Sequence, residues 1–214
     1  MSLYGHRVYP VLVDWLGNPA PVRALRQRII PTARGVVLEI GVGSGANLPY
    51  YDQVRVERLY ALEPNPGMRR LAEAQARGMP LEVRFLAHPG EQIPLGDESL
   101  DTVVSTFTLC TISSLEPALA GVFRVLRPGG TLIFLENSLA ADPRVQRWQR
   151  RWESVHRRLF AGLRLTRDIP ALVAHAGFSI ERLERLYLSR FPKSWTHCCC
   201  GTATRRDLNN LRHP

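Results

Sequence analysis

Lysine is almost missing from this 214-residue chain. Lys193 stands alone, so the 28 basic residues are nearly all arginine, set against 19 acidic ones for a formal charge of +9. A GC-rich genome produces such a skew without any functional demand. No basic run is interleaved with aromatics as a base-stacking platform requires, so nucleic acid is not an expected partner. Long apolar runs are missing too. None approaches the ~18 residues of a membrane span, and Met1-Ser2-Leu3-Tyr4-Gly5-His6-Arg7 lacks the unbroken apolar stretch of a signal peptide. The expected compartment is the cytoplasm. Cysteine is scarce: of the four, Cys198, Cys199 and Cys200 are adjacent, which is no spaced disulfide framework. Neighbours on a strand point to opposite faces, so these three cannot share one ion, and no metal site is expected. Repeats and low-complexity segments are absent as well.

What is present is enough apolar material, 45% of residues, to fill the core of a single domain spanning 1–214. Two short helices are expected at 3–16 and 21–30, the second opened by Pro21, whose missing N–H would have no helical partner there. Val36-Val37-Leu38-Glu39-Ile40 is an apolar, β-branched run closed by glycines, the pattern of a strand buried on both faces of a parallel sheet. Similar runs at 58–62, 81–86, 101–105 and 131–135 alternate with helical stretches at 67–77 and 116–126. Arg127-Pro128-Gly129-Gly130 is expected to stop the last helix and turn into the fifth strand. Later segments read as helices at 143–160 and 169–176, then strands at 178–188 and 196–204 that pair antiparallel. The fold class is therefore α/β, a doubly wound, Rossmann-like, mostly parallel sheet with a C-terminal antiparallel hairpin. Its parts are N-terminal cap helices (1–33), a ligand-binding core (34–138) and substrate-side elements (139–214).

The run Glu39-Ile40-Gly41-Val42-Gly43-Ser44-Gly45-Ala46-Asn47 follows a strand and precedes a helix start, where a nucleotide-like ligand meets an α/β sheet. Gly41, Gly43 and Ala46 also satisfy the G-x-G-x-x-A dinucleotide fingerprint, so a nicotinamide-dependent oxidoreductase is a rival reading. Both readings want an acid at the end of the next strand for ribose hydroxyls, and Glu63 supplies it. Glu39 separates them. A pyrophosphate gains nothing from a nearby buried anion, whereas a ligand with a cationic amino end does; the bland alternative is an acid satisfied by backbone N–H groups of the glycine turn.

These residues resemble the class I S-adenosylmethionine-dependent methyltransferases. Leu38-Glu39-Ile40-Gly41-Val42-Gly43-Ser44-Gly45 looks like that family's first motif, and Leu62-Glu63-Pro64-Asn65-Pro66-Gly67-Met68 like its ribose-binding segment. Gly90-Glu91-Gln92-Ile93-Pro94-Leu95 resembles the adenine-side loop, Ser99-Leu100-Asp101-Thr102-Val103-Val104-Ser105 the fourth strand, and Leu126-Arg127-Pro128-Gly129-Gly130 the approach to the fifth. The resemblance implies S-adenosylmethionine as cofactor. It implies Glu39 and the loop of Gly41, Gly43, Gly45 and Asn47 at the methionine end, and Glu63 with Pro64 at the ribose. Met68, Gly90 and Glu91 would flank adenine, and Thr106 would line the sulfonium side.

Substrate-side expectations fall on Tyr9, Thr108, Asn137, Trp148 and Trp152. Trp148, Trp152, Val155 and Leu159 share one helix face, readable as core packing, as a lid over an apolar substrate, or as a membrane-surface element making weak peripheral contact. Glu136-Asn137, Trp148, Leu165-Thr166-Arg167, Gly177-Phe178 and Ser194-Trp195-Thr196-His197-Cys198-Cys199-Cys200-Gly201 are similar to a branch that S-methylates alkyl thiols. The membrane-anchoring N-terminal segment of that branch's animal members has no match here. His156 and His197 are the expected proton acceptors, each with a structural role as the alternative. The sequence shows no strong positioned base, which favours S- or amine N-methylation over O- or C-methylation, and the first choice of acceptor is a small, mostly apolar thiol. A phospholipid amine and a quinol ring remain as rivals.

Overall fold

In this computed structural model, which describes residues 19–160, 162–188 and 192–206, the run at 36–40 becomes β1 (Gly35–Ile40), with Val37 to Ile40 all buried. It lies inside a seven-stranded sheet with β2 (Val56–Leu62), β3 (Val83–Leu86), β4 (Leu100–Thr106), β5 (Leu126–Asn137), β6 (Phe178–Tyr187) and β7 (His197–Arg205). The spatial order is β3-β2-β1-β4-β5-β7-β6. β1 pairs in parallel with both β2 and β4, so the chain reverses its direction of travel across the sheet between those two strands. A crevice forms at such a switch point, beyond the carboxyl ends of the strands.

Alternation along the strands builds two cores. Leu38, Ile40, Val103, Leu132 and Phe134 point to one face with α3 (Leu115–Val125) and Phe178, while Val37, Val104, Ile133 and Leu59 point to the other. A smaller cluster packs Val22 and Leu25 of α1 (Ala20–Ile29) against Leu135, Cys198 and Cys200. The three adjacent cysteines thus divide between the faces, Cys199 joining the main core. β7 runs antiparallel between β5 and β6, as the late hairpin was expected to pair. The helix expected at 3–16 lies outside the described residues.

Two expectations need correction. Arg127 to Gly130 lie inside the fifth strand rather than before it, because β5 already pairs at Leu126, opposite Leu100. The four residues loop out of register opposite Asp101, since the next pairing is Thr102 with Thr131. Pro128 has no N–H for a ladder bond, and Gly129 adopts φ +77, so the insertion is tolerated there.

The second correction concerns α4 (Pro143–Leu159). Trp148, Trp152, Val155 and Leu159 are 56%, 40%, 39% and 64% exposed, so they neither pack the core nor close a lid. The helix docks through Val145, Gln149 and His156 instead. Gln149 donates to the Ser138 carbonyl at 3.1 Å and accepts from the Ala140 N–H at 3.0 Å, satisfying buried backbone that no apolar side chain can satisfy.

The assignment of faces is directly testable. Phe134 is fully buried, and Phe134→Ala should cost about 3–5 kcal/mol in urea denaturation. Trp148→Ser and Trp152→Ser, on the exposed face, should each stay within about 0.5 kcal/mol of the parent. A loss of several kcal/mol in either tryptophan variant would contradict the docking of α4.

Candidate active site

A cleft of about 800 Å³ opens where the carboxyl ends of β1, β2, β4 and β5 meet α1. That is near the upper end of the ~300–1,000 Å³ usual for small-molecule sites, so two ligands fit side by side. The glycine loop makes its floor. Gly41 has φ +68, and a Cβ there would lie 2.3 Å from Thr108 Oγ1. Only glycine lets the loop pass under that hydroxyl. Gly45, with φ +95, faces the opposite way, where a Cβ would sit 3.1 Å from the Ala72 Cα of α2 (Pro66–Ala76).

Glu63, at the end of β2, is fixed by two backbone donors. Its Oε2 accepts from the Gly43 N–H at 3.0 Å and its Oε1 from the Asn65 N–H at 2.8 Å. Each carboxylate oxygen has a second lone pair, so hydrogen bonds from a diol can be added. Burial raises the Glu63 pKa, while the two N–H bonds and the Arg69 charge oppose that rise. Asn65 caps α2 by accepting from the Gly67 and Met68 N–H groups, which sets Met68 in the wall.

Beneath the opposite end lies a buried network. Glu39 is 1% exposed; it accepts from Asn47 Nδ2 at 2.7 Å and from the Tyr51 hydroxyl at 2.8 Å. Side chains satisfy this acid, so the expected alternative of glycine-turn N–H groups does not hold. Asn47 Nδ2 also donates to Thr106 Oγ1 at 3.0 Å, and Arg26 Nη1 donates to both Asn47 Oδ1 and Thr106 Oγ1. Burial lifts the Glu39 pKa from 4.5 to about 7, with Tyr51, Asn47 and Arg26 pulling the other way.

A second buried carboxylate shapes the facing wall. Glu136, at the end of β5, accepts from Ser105 Oγ at 2.7 Å and from the N–H groups of Thr108, Leu109 and Cys110 at 3.1 Å each. Its burial raises its pKa, against those donors. Four donors converging on one acid curl the chain after β4 and hold Phe107 at φ +54, which presents Thr108, Thr111, Ile112 and Ser113 to the cleft.

The structure brings most of the expected residues together. Gly41, Gly43, Glu63, Pro64, Met68, Gly90, Glu91, Thr106, Thr108 and Asn137 line the cleft. Glu39, Gly45 and Asn47 stand behind the wall and act on it indirectly. Trp148 and Trp152 are outside it on the surface; their expected place is taken by Phe160, Leu163, Leu188 and Trp195. Tyr9 lies outside the described residues.

Neither histidine reaches the wall. His156 sits behind it, its ring edge-on to Trp195 with centroids 4.9 Å apart. His197 Nδ1 is 2.8 Å from the Ser138 carbonyl, which can only accept, so that nitrogen carries the proton. Burial lowers the pKa of both imidazoles. Sequence reasoning missed Arg26, although its position four residues after Val22 places it on the inner face of α1, where a cation needs partners.

The Glu39 shift carries a sign. A carboxyl raised from 4.5 to about 7 favours the folded state while protonated, so its contribution is intact below about pH 4.5 and is lost as pH rises through 7. Without ligand, Glu39→Gln should gain on the parent by on the order of 3 kcal/mol between pH 4.5 and 8. Denaturation midpoints across that range check this, and a pH-independent difference would contradict it.

Comparison with known proteins agrees with this geometry. A family model describing a methyltransferase domain matches residues 38–134. Human thiol S-methyltransferase TMT1B is 37% identical over 155 residues, 70% of this chain and 62% of TMT1B. Human thiol S-methyltransferase TMT1A is 34% identical over 173 residues, 77% of this chain and 67% of TMT1A. The chain thus spans about two thirds of the length of these relatives, and slightly less for TMT1B. An S-adenosylmethionine-dependent methyltransferase structure from Mesorhizobium loti superposes with a TM-score of 0.67 at 16% identity, covering 89% of this chain and all of that one. That likeness speaks for the fold alone. The glycine floor, the Glu63 carboxylate and the Glu39 network fit the family's co-substrate, S-adenosylmethionine, by its diol and its amino-acid end. By sequence relationship and by fold, the chain belongs to the class I S-adenosylmethionine-dependent methyltransferases.

Proposed function

We propose that the protein transfers a methyl group from S-adenosylmethionine to the sulfur of a small, mostly apolar thiol. The observation that carries the reading is the division of the cleft. Among the described residues, its wall holds three ionisable side chains: Glu63 and Glu91 belong to the segments that fit the cofactor, and Arg26 is tied to the Glu39 network through Asn47. Outside those segments the wall is Pro19, Val22, Phe107, Ile112, Phe160, Leu163, Leu188 and Trp195, with Asn137 and the hydroxyls of Thr108, Thr111, Ser113 and Thr196. Such a surface removes water from an apolar acceptor without supplying a base.

S-adenosylmethionine, when bound, supplies an electrophilic methyl group on a sulfonium. The chain's contribution is placement. Glu63 holds the ribose, the glycine floor lets the ligand approach the backbone, and the loop organised by Glu136 sets the distance to the acceptor side. The acceptor loses its proton to solvent, and its sulfur then bonds to the methyl carbon. The carbon–sulfonium pair of electrons returns to the departing sulfur, leaving a thioether and S-adenosylhomocysteine. A thiol with pKa of roughly 8.5 is partly ionised near neutrality, whereas a hydroxyl or a ring carbon requires a base, and among the described residues the acceptor side of the wall holds none. The similarity to TMT1A and TMT1B supports the same acceptor class.

The test is incubation of the purified protein with cofactor and alkyl thiols, sulfide, phosphatidylethanolamine or quinols, with products read by mass spectrometry. S-methylated thiols should form, at a rate that rises with pH through the ionisation of the thiol. Methyl transfer confined to the lipid or the quinol would sink the thiol assignment and leave the methyltransferase assignment standing.

A further inference from the structure

The exposure of the tryptophan stripe on α4 removes two of its three readings, core packing and a lid over the acceptor. What remains is an apolar row on the surface. At about 100° per residue, Trp148, Trp152, Val155 and Leu159 fall in a band about 60° wide. The docking residues Val145, Gln149 and His156 lie on one side of that band, and Arg144, Arg147, Arg151 and Arg158 lie on the other. Arg150 and Arg157 follow further round, and all six arginines are exposed. The helix has one acid, Glu153, on the far side of the docking residues from the stripe. Among the described residues none of the six arginines is in an ion pair.

The stripe continues to the mouth of the cleft. Phe160 follows the helix directly and lines the apolar half, as does Trp195, which is 43% exposed and lies 6.4 Å from the Phe160 ring between centroids. An apolar band edged by unpaired guanidinium groups matches a surface that is anionic outside and apolar just beneath. Tryptophan settles at headgroup depth, and arginine reaches phosphates while its stem covers apolar surface. A second copy of the chain fits badly, because a two-fold contact would bring two sets of arginines together with no acid between them. We propose that α4 docks the protein on an anionic phospholipid surface, its tryptophans among the headgroups and its arginines on the phosphates. Among the described residues no helix is long and apolar enough to cross a membrane, so the contact is peripheral. It sets the Phe160 and Trp195 side of the cleft against the bilayer. Resting on the thiol reading above, an apolar acceptor dissolved in the lipid enters from that side.

Sedimentation of the full chain with vesicles tests the docking without turnover. The parent should bind equimolar phosphatidylcholine and phosphatidylglycerol at least about tenfold more tightly than phosphatidylcholine alone, and high salt should remove most of that difference. Arg151→Gln with Arg158→Gln should weaken the anionic binding at least about tenfold, at about fivefold for each arginine near the surface. Arg70→Gln with Arg77→Gln makes the same change of charge on and just after α2, which packs on β3 at the other edge of the sheet, and should stay within about twofold of the parent. Trp148→Ser with Trp152→Ser should also lose at least about tenfold.

Absence of binding to anionic vesicles by the parent overturns the proposal. Equal losses in the two arginine pairs also overturn it, since net charge rather than α4 would then carry the attraction. A dimer in solution that the paired tryptophan variant dissolves would put a second copy on this face and overturn it as well. For the route of the acceptor, a long-chain alkyl thiol carried in anionic vesicles should be methylated at least about tenfold faster by the parent than by the paired tryptophan variant, and a short soluble thiol equally by both. Equal rates on the vesicle-borne thiol overturn that route. No methylation of either thiol by the parent is the failure of the thiol reading, and the sedimentation result stands apart from it.

Discussion

The buried carboxylate of Glu39 is the point about which the cofactor side of the cleft is assembled. An unsatisfied acid at 1% exposure is too costly to persist, so donors must converge on it. They arrive from separate parts of the chain: Asn47 ends the glycine loop, and Tyr51 follows the next short turn. Asn47 then reaches Thr106 on β4 and Arg26 on α1, so one network joins the central strand, the loop, the neighbouring strand and the cap helix. Because Asn47 gives hydrogen bonds to Glu39 and Thr106 and takes one from Arg26, the positions of Thr106 and Arg26 in the wall depend on an acid that never reaches the surface of the cleft.

Glu136 repeats this device at the end of β5. One of its four donors, Ser105, is in β4 and the other three are backbone N–H groups of the short stretch after it, and together they fix one wall of the cleft. Two acids on nearby strands therefore organise two halves of one pocket, the first rich in polar groups, the second largely apolar. The fold by itself decides neither chemistry. The acceptor half is furnished by Phe160, Leu163, Leu188 and Trp195, which come from the segments after β5.

Much of this was legible in the sequence. Strands buried on both faces declare themselves by unbroken apolar runs, so the order of β1 to β5 and the place of the glycine loop follow from pattern. Glu63 was legible because it ends a strand at the right distance from that loop. The misread features are those in which a polar requirement overrode hydrophobicity. α4 presents a clean apolar stripe, yet it docks by Gln149, because the backbone at Ser138 and Ala140 needs partners. Trp148 and Trp152 were accordingly placed at the pocket, where Phe160 and Trp195 stand. His156 and His197 are near the wall in sequence neighbours only: Phe160 follows His156 by one helical turn and Thr196 precedes His197, and each of those neighbours takes the surface position. Arg26 carries no motif; only its register with Val22 marks it.

The central claim is that one cleft holds the cofactor by its polar half and aims the transferable group at its apolar half. A crystal structure of the protein with S-adenosylhomocysteine tests it most directly. The account predicts both ribose hydroxyls within hydrogen-bonding distance of Glu63, and the thioether sulfur turned toward the side lined by Asn137, Phe160 and Trp195. A ligand bound elsewhere, or one whose sulfur faces away from that apolar side, would contradict it.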